Sequence, residues 1–221
     1  VKVYRGGTNP ARYLDDLGRI PRSDAERIEK ALPFPGTYLF PGFQRDLLQL
    51  GNAYTDAKLP RQARAVFKSA LGVRKGNIDS LFNYAISAAQ SGDLKEARKI
   101  YLGIIEKRPG YDDARNNLGI LDARAGHLDS AREYFRSVLK NNPAHTEAAL
   151  NLAETWSQAG EFDIAVNIYR AALKHDPGSA ILRRMLGLAL FRSGAIDESI
   201  GAHEDAIRLD PLDLDSYRYL A

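Results

Sequence analysis

Between residues 78 and 179 the chain repeats itself every 34 residues. Gly92, Gly126 and Gly160 are in step. So are Ala97, Ala131 and Ala165; Tyr101, Phe135 and Tyr169; and Pro109, Pro143 and Pro177. A fixed period of this length means stacked copies of one supersecondary unit, because a unit so small cannot bury its apolar face without neighbours. Each copy reads as two amphipathic helices of about 13–14 residues, roughly 20 Å long at 1.5 Å per residue. Such helices are marginal alone in water. They form by burying their stripes against one another, so the pattern predicts an all-α fold.

The recurring residues resemble the tetratricopeptide repeat (TPR): Leu-Gly or Leu-Ala early, a small Ala in the middle, an aromatic four residues later and Pro near the end. The resemblance covers about 44–221, as repeats 44–77, 78–111, 112–145, 146–179 and 180–213 and a partial sixth, 214–221. It implies a right-handed α-solenoid of stacked antiparallel helix pairs, the TPR superhelix. Pentatricopeptide repeats, which read RNA, have a slightly longer period and lack this set of columns.

The outer repeats depart from the pattern. In the first, Lys58 stands for the turn glycine, and Lys75 and Gly76 stand where later repeats have proline. In the fifth, Ser199 and His203 replace the Ala and the aromatic. The small residues Gly51, Ala85, Gly119, Ala153 and Gly187 are expected to let paired helices approach closely. The aromatics Phe67, Tyr101, Phe135 and Tyr169 are expected to fill the space between repeats. Gly92, Gly126, Gly160 and Gly194 follow helix ends, where a left-handed residue satisfies the last carbonyls. Pro109, Pro143, Pro177 and Pro211 stop the second helices.

Residues 1–43 lie outside the repeat. Asn9 and Pro10 open a short helix ended by Gly18, and the capping-box pattern from Ser23 to Glu26 opens another reaching about Leu32. Pro33, Pro35 and Pro41 fall within nine residues and rule out helix interior. With Phe34, Tyr38, Leu39, Phe40 and Phe43, this stretch reads either as an ordered strap on the first repeat or as the tail of a preceding domain. The chain starts at Val1 and stops midway through a repeat, which is the expectation for a piece of a longer polypeptide.

The net charge is +3 with no block of like charge, so a nucleic-acid partner is not implied. With no cysteine there is no disulfide, thiolate metal site or cysteine nucleophile. The absence leaves a cytoplasmic and a periplasmic location equally open. No apolar run approaches the roughly 18 residues that span a bilayer, so no membrane insertion is expected.

In the tetratricopeptide family the first helices line a concave groove that takes peptides or extended segments. The resemblance places Leu48, Phe82, Asn116, Leu150 and Arg184 on one groove column. Asn83, Asn117, Asn151 and Met185 form the next, then Asn52, Ile86, Ile120, Glu154 and Leu188. Arg124 and Arg192 lie further round. A side-chain amide both donates and accepts, so Asn83, Asn117 and Asn151 form a ladder able to pair with a peptide backbone of any sequence. Similar asparagines do this in protein O-GlcNAc transferases. The alternative is that these asparagines pack against the next repeat. Co-chaperones of the family instead clamp a C-terminal carboxylate with Lys and Arg on successive repeats. Here those places hold Leu48, Phe82, Asp113, Asn117, Glu147 and Asn151, so that clamp is absent. The groove is apolar and amide-rich in the middle, with Arg184, Arg192 and Arg218 toward the end, which favours an apolar-aromatic or acidic segment.

Catalytic and metal-binding patterns are missing. His127, His145 and His175 fall at turns or helix ends, as solvated or capping residues, and His203 occupies the aromatic column as a core substitute. No histidine pair has the i, i+4 spacing of a zinc helix. Adjacent acids such as Asp112 and Asp113 point apart and suit a helix N-terminus. No nucleophile has a base beside it. The expectation is a non-catalytic scaffold or adaptor without cofactor, binding a protein or peptide. A substrate-recruiting region of a larger enzyme is the alternative, and self-association through the array ends a third possibility.

Overall fold

The computed structural model describes residues 43–73 and 76–220. The expected short helices and proline-rich strap of residues 1–42 lie outside the described residues. Those described form eleven helices and no strand. The chain divides after Lys107 into two compact units.

The first unit contains α1 (Phe43–Asp56), α2 (Pro60–Val73), α3 (Ile78–Gln90) and α4 (Leu94–Lys107). Each helix packs on the next, and α1 also touches α3. Short connections reverse the chain, so neighbours are antiparallel. Leu47, Leu50, Val66 and Ala70 form one core cluster; Ala63, Phe67 and Tyr84 form another. The second unit contains α5 (Asp112–Arg124), α6 (Leu128–Asn141), α7 (Thr146–Ser157), α8 (Phe162–Leu173), α9 (Ala180–Ser193), α10 (Ile196–Leu209) and α11 (Leu214–Leu220). Consecutive helices pack again, with first helices touching first helices at α5–α7 and α7–α9. Within each unit this is the packing of a helical solenoid.

The helix ends follow from the turn column. Gly92, Gly126, Gly160 and Gly194 have φ of 90, 80, 81 and 88°, and Lys58 takes the same left-handed conformation at 57°. The next N–H then reaches back five residues in every repeat. Leu59 N donates to Tyr54 O, Asp93 to Ala88, His127 to Asp122, Glu161 to Trp156 and Ala195 to Leu190, all at 2.9–3.0 Å. This is the Schellman arrangement that satisfies carbonyls orphaned at a helix end. Lys58 shows that the position demands the conformation and only favours glycine. Three first helices are capped by side chains: Asn77 Oδ1 accepts from Ser80 N, His145 Nδ1 from Ala148 N and Ser179 Oγ from Leu182 N.

The tightest packing lies inside single repeats. A Cβ added to Gly51 would sit 2.4 Å from Phe67, one on Gly119 2.5 Å from Phe135, and one on Gly187 2.8 Å from His203. The aromatic ring therefore lies flat on its own repeat's glycine. Its other side meets the next repeat, as Phe67 meets Tyr84 and Phe135 meets Leu152. The rings thus fill space within the helix pair as well as between pairs. Where the small residue is Ala85 or Ala153, the aromatic is Tyr101 or Tyr169, and all four are buried.

Candidate functional site

The first-helix residues singled out in the sequence fall into two sets. In the first unit Asn52 is exposed, while Phe82, Asn83 and Ile86 are half-buried. Phe82 leans on Tyr101 of its own repeat, ring centroids 5.9 Å apart. The Asn83 amide donates to Asn52 Oδ1 at 3.5 Å, one turn further along the preceding first helix.

In the second unit the Asn151 amide donates to Asn116 Oδ1 at 3.0 Å. Asn116 is 7% exposed, so this member of the predicted groove is a buried support that orients Asn151. Asn117 is half-buried and has no hydrogen-bond partner among the described residues. Two of the three ladder asparagines thus spend one donor on the neighbouring repeat. Each amide keeps its second N–H and its carbonyl, so packing and partner contact are both open to these side chains. Ile120 and Leu150 pack on the core clusters beneath. Arg124 and Arg192 are exposed. Glu154 accepts from the Gln158 amide at 3.2 Å.

Below this face the Tyr169 hydroxyl is buried without a hydrogen-bond partner. Burial pushes its pKa up, Glu154 adds to the shift and Arg192 opposes it. The phenol therefore stays neutral. Trp156 lies against Arg132, whose guanidinium carbon is 3.8 Å from the ring centroid. Arg132 also donates to Thr155 O at 2.7 Å and pairs with Asp129 at 2.9 Å. This buried cation is a packing element.

At the end of the second unit, α11 docks through His203. Its ring is fully buried, stacks on Tyr219 at 4.8 Å with an interplanar angle of 9°, and has Nδ1 3.1 Å from Ser216 Oγ. Ser216 Oγ donates in turn to Asp213 at 2.8 Å. Burial lowers the His203 pKa, Asp213 raises it and Arg184 lowers it, with burial the largest effect. The hydroxyl sits between carboxylate and imidazole, whereas a nucleophile needs the imidazole in the middle. Neither His203 nor Ser216 reaches solvent, so this is a docking network in which histidine fills the aromatic column.

Arg184 belongs to the same cluster. It pairs with Asp215 at 2.7 Å and with Asp213 at 3.4 Å. The sequence offered it as a cation for a ligand; the structure gives it two intrachain carboxylates. These partners lie about one repeat onward, and that separation is the signal that would have found them. Arg184, Met185, Leu188, Asp215, Arg218 and Tyr219 line a cavity of about 330 Å³. The remaining histidines behave as their positions predict. His145 caps α7 and meets Asp113 through Nε2 at 3.2 Å, while His127 and His175 are exposed. Among the described residues no three His, Cys, Asp or Glu side chains converge as a metal site. No described helix is long and apolar enough to cross a membrane.

A family model described as tetratricopeptide repeat matches residues 54–119 and 122–168, and a second one with that description matches 157–213. No curated protein matches the chain. Among solved structures it is similar to a thermophilic TPR protein of Thermus thermophilus, with a TM-score of 0.65 and 20% identity over 80% of this chain and 97% of that one. It is also similar to MamA of Desulfovibrio magneticus (TM-score 0.61, 16% identity, 77% and 97% covered). YrrB, described as a TPR protein with an unusual peptide-binding site, has a TM-score of 0.55 and 17% identity, with 78% and 89% covered.

Proposed function

The chain belongs to the tetratricopeptide-repeat family, a family of protein-interaction scaffolds, and from that premise we propose that its first-helix faces hold an extended protein segment by backbone-directed amides. The observation that carries this reading is the asparagine set of the second unit. Asn151 is oriented by the buried Asn116 carbonyl, and Asn117 beside it has its whole amide free among the described residues. Buried support behind a polar group lowers the cost of ordering it on binding. Asn83, braced by Asn52, supplies the same chemistry in the first unit. The scaffold is non-catalytic in this reading, since the one Ser–His pair in its site cluster is buried and in the wrong order for acyl transfer.

The test is a random-peptide array probed with the labelled chain and with a variant carrying Asn83→Ala, Asn117→Ala and Asn151→Ala. Losing these contacts is expected to weaken captured peptides at least tenfold, at about 1.4 kcal/mol per decade. Equal capture by the variant would remove the amide reading.

A second reading has its own observation. Leu212, just before α11, and Leu214, its first residue, are 84% and 73% exposed, so this part of the second unit presents apolar surface of the kind that repeats bury on one another. We infer that this end supports self-association. Light scattering over a dilution series should show larger species that Leu212→Glu abolishes, and a monomer at every concentration would exclude it.

A further inference from the structure

We propose that His203 is an acid-sensitive latch on α11: taking up a second ring proton releases that helix from the end of the second unit. This control does not depend on the amide groove.

The hydrogen bonds fix the tautomer of the ring. Ser216 Oγ donates its single proton to Asp213 at 2.8 Å. Toward His203 the same oxygen can only accept, so Nδ1, 3.1 Å away, carries the ring proton. Nε2 is then the bare nitrogen. It is buried without a hydrogen-bond partner among the described residues. It also lies on Gly187, where an added Cβ would stand 2.8 Å from it. In the first and third repeats the ring edges in that place are carbons, those of Phe67 on Gly51 and Phe135 on Gly119. A neutral imidazole copies such an edge. A protonated one puts a charged N–H there without an acceptor, and an unpaired charge is costly to keep buried.

The way out to water leads past α11. Its parent helix α10 packs on α9 and α11. Beneath the ring Ser199 Oγ donates to Gly187 O at 2.8 Å and ties α10 to α9. Above it the cover is Tyr219, stacked at 4.8 Å, together with Ser216. The covering helix has seven residues, of which Ser216 alone is buried. A helix so short does not hold its shape undocked, so α11 is the element with the lowest cost of local opening. The charged groups facing the ring are Arg184 from α9, which disfavours the cation, and Asp213 ahead of α11, which favours it; burial is the largest effect and opposes the cation. The remaining charges nearby are taken up by each other. On α11, Asp215 pairs with Arg184 and Arg218, and on α10 Asp205 pairs with Arg183 and Arg208. Release of α11 would separate Arg184 from Asp213 and Asp215 and uncover Phe191, which now meets Tyr219 at 5.8 Å.

The test is amide hydrogen exchange on the full chain between about pH 7.5 and 5, corrected for intrinsic exchange rates, with nitrogen NMR of the imidazoles alongside. At the upper end of that range His203 should carry its proton on Nδ1. As pH falls through the ordinary histidine range, about 6.5 and below, α11 should lose protection while α9 and α10 keep theirs. His203→Phe gives Gly187 the ring that Gly51 and Gly119 already accept, and should hold α11 protected throughout. Unaltered Trp156 emission establishes that this variant is folded; should it not fold, the tautomer and the contrast between α11 and α9 in the native chain decide. Undiminished protection of α11 in the native chain overturns the latch. So does an equal loss in His203→Phe, a loss shared equally by α9 and α10, or a ring protonated on Nε2 at the upper end of the range.

Discussion

Replacing Gly119 with Ala is the sharpest probe of how the helix pairs lock. In an ordinary exposed helix the change stabilises by about 0.5–1 kcal/mol, because Gly loses more backbone freedom on folding. Here the new methyl would stand 2.5 Å from Phe135 Cε1, 2.8 Å from Cζ and 2.9 Å from Cδ1. Carbon contacts need about 3.5–4.0 Å, so roughly 1 Å must be found. The ring has nowhere to go: Phe135 is 1% exposed and is packed with Ala131 and Leu152. The helices α5 and α6 must part, and overpacking of this kind costs about 1–3 kcal/mol. After the propensity gain the net loss is about 1–2 kcal/mol, or a Tm lower by ~2–8 °C. Gly201 in α10 is the control, since a Cβ there meets nothing within 4 Å; Gly201→Ala should raise the Tm. Thermal and urea melts followed by Trp156 fluorescence measure both, because the only tryptophan packs on the core clusters of the second unit. Adding Phe135→Leu to Gly119→Ala should cost less than the two changes summed. If Gly119→Ala melts at or above Gly201→Ala, the ring-on-glycine account is wrong.

Three further outcomes follow from the same structure. Lys58→Gly should stabilise the first unit by about 1 kcal/mol by relieving a left-handed non-glycine residue, read as a higher denaturation midpoint; a lower midpoint would contradict the turn assignment. Tyr169→Phe removes a buried hydroxyl that has no partner and should be neutral or stabilising by about 1 kcal/mol in urea melts, whereas a loss beyond that would reveal a hidden hydrogen bond. His203 is held neutral by burial, so the unfolded chain binds its proton more readily than the folded one. Its contribution is complete above the ordinary histidine range, about 6.5, and drains away as pH falls through that value toward the depressed folded one. As pH falls from about 7.5 to 5.5 the native chain should therefore lose more stability than His203→Gln, and parallel losses would exclude the effect.

Much of the backbone was legible because the constraints are local. The turn column, the proline column and the small-residue column each act within a few residues, and helix ends fell where they point. Lys58 could be placed because its neighbours in the pattern are turn glycines. The polar face was less legible. Nothing in a single repeat announces that Asn116 is buried or that Arg184 is already paired. Those facts depend on what stands one repeat away. The cross-repeat partners prove regular: Arg64 and Asp93, Asn83 and Asn52, Asn151 and Asn116, and Arg184 and Asp215 are separated by 29, 31, 35 and 31 residues. Complementary side chains near one period apart are a searchable signal. The docking of α11 needed a different clue, since histidine in an aromatic column is ambiguous until its Ser216 and Tyr219 partners are in place.

The ring-on-glycine contact also bears on how such a chain can grow. Gly51 and Phe67, Gly119 and Phe135, and Gly187 and His203 each belong to one repeat. A 34-residue duplication therefore copies a lock together with its key, and the new copy arrives with its hardest steric problem solved. Pairs such as Arg64 with Asp93, Asn151 with Asn116 and Arg184 with Asp215 are instead divided between neighbours and are broken at a new junction. Insertion or loss of a whole repeat leaves the scaffold sound while rewriting which side chains face each other along it, so the inheritance of shape and the inheritance of specificity are separable in this chain.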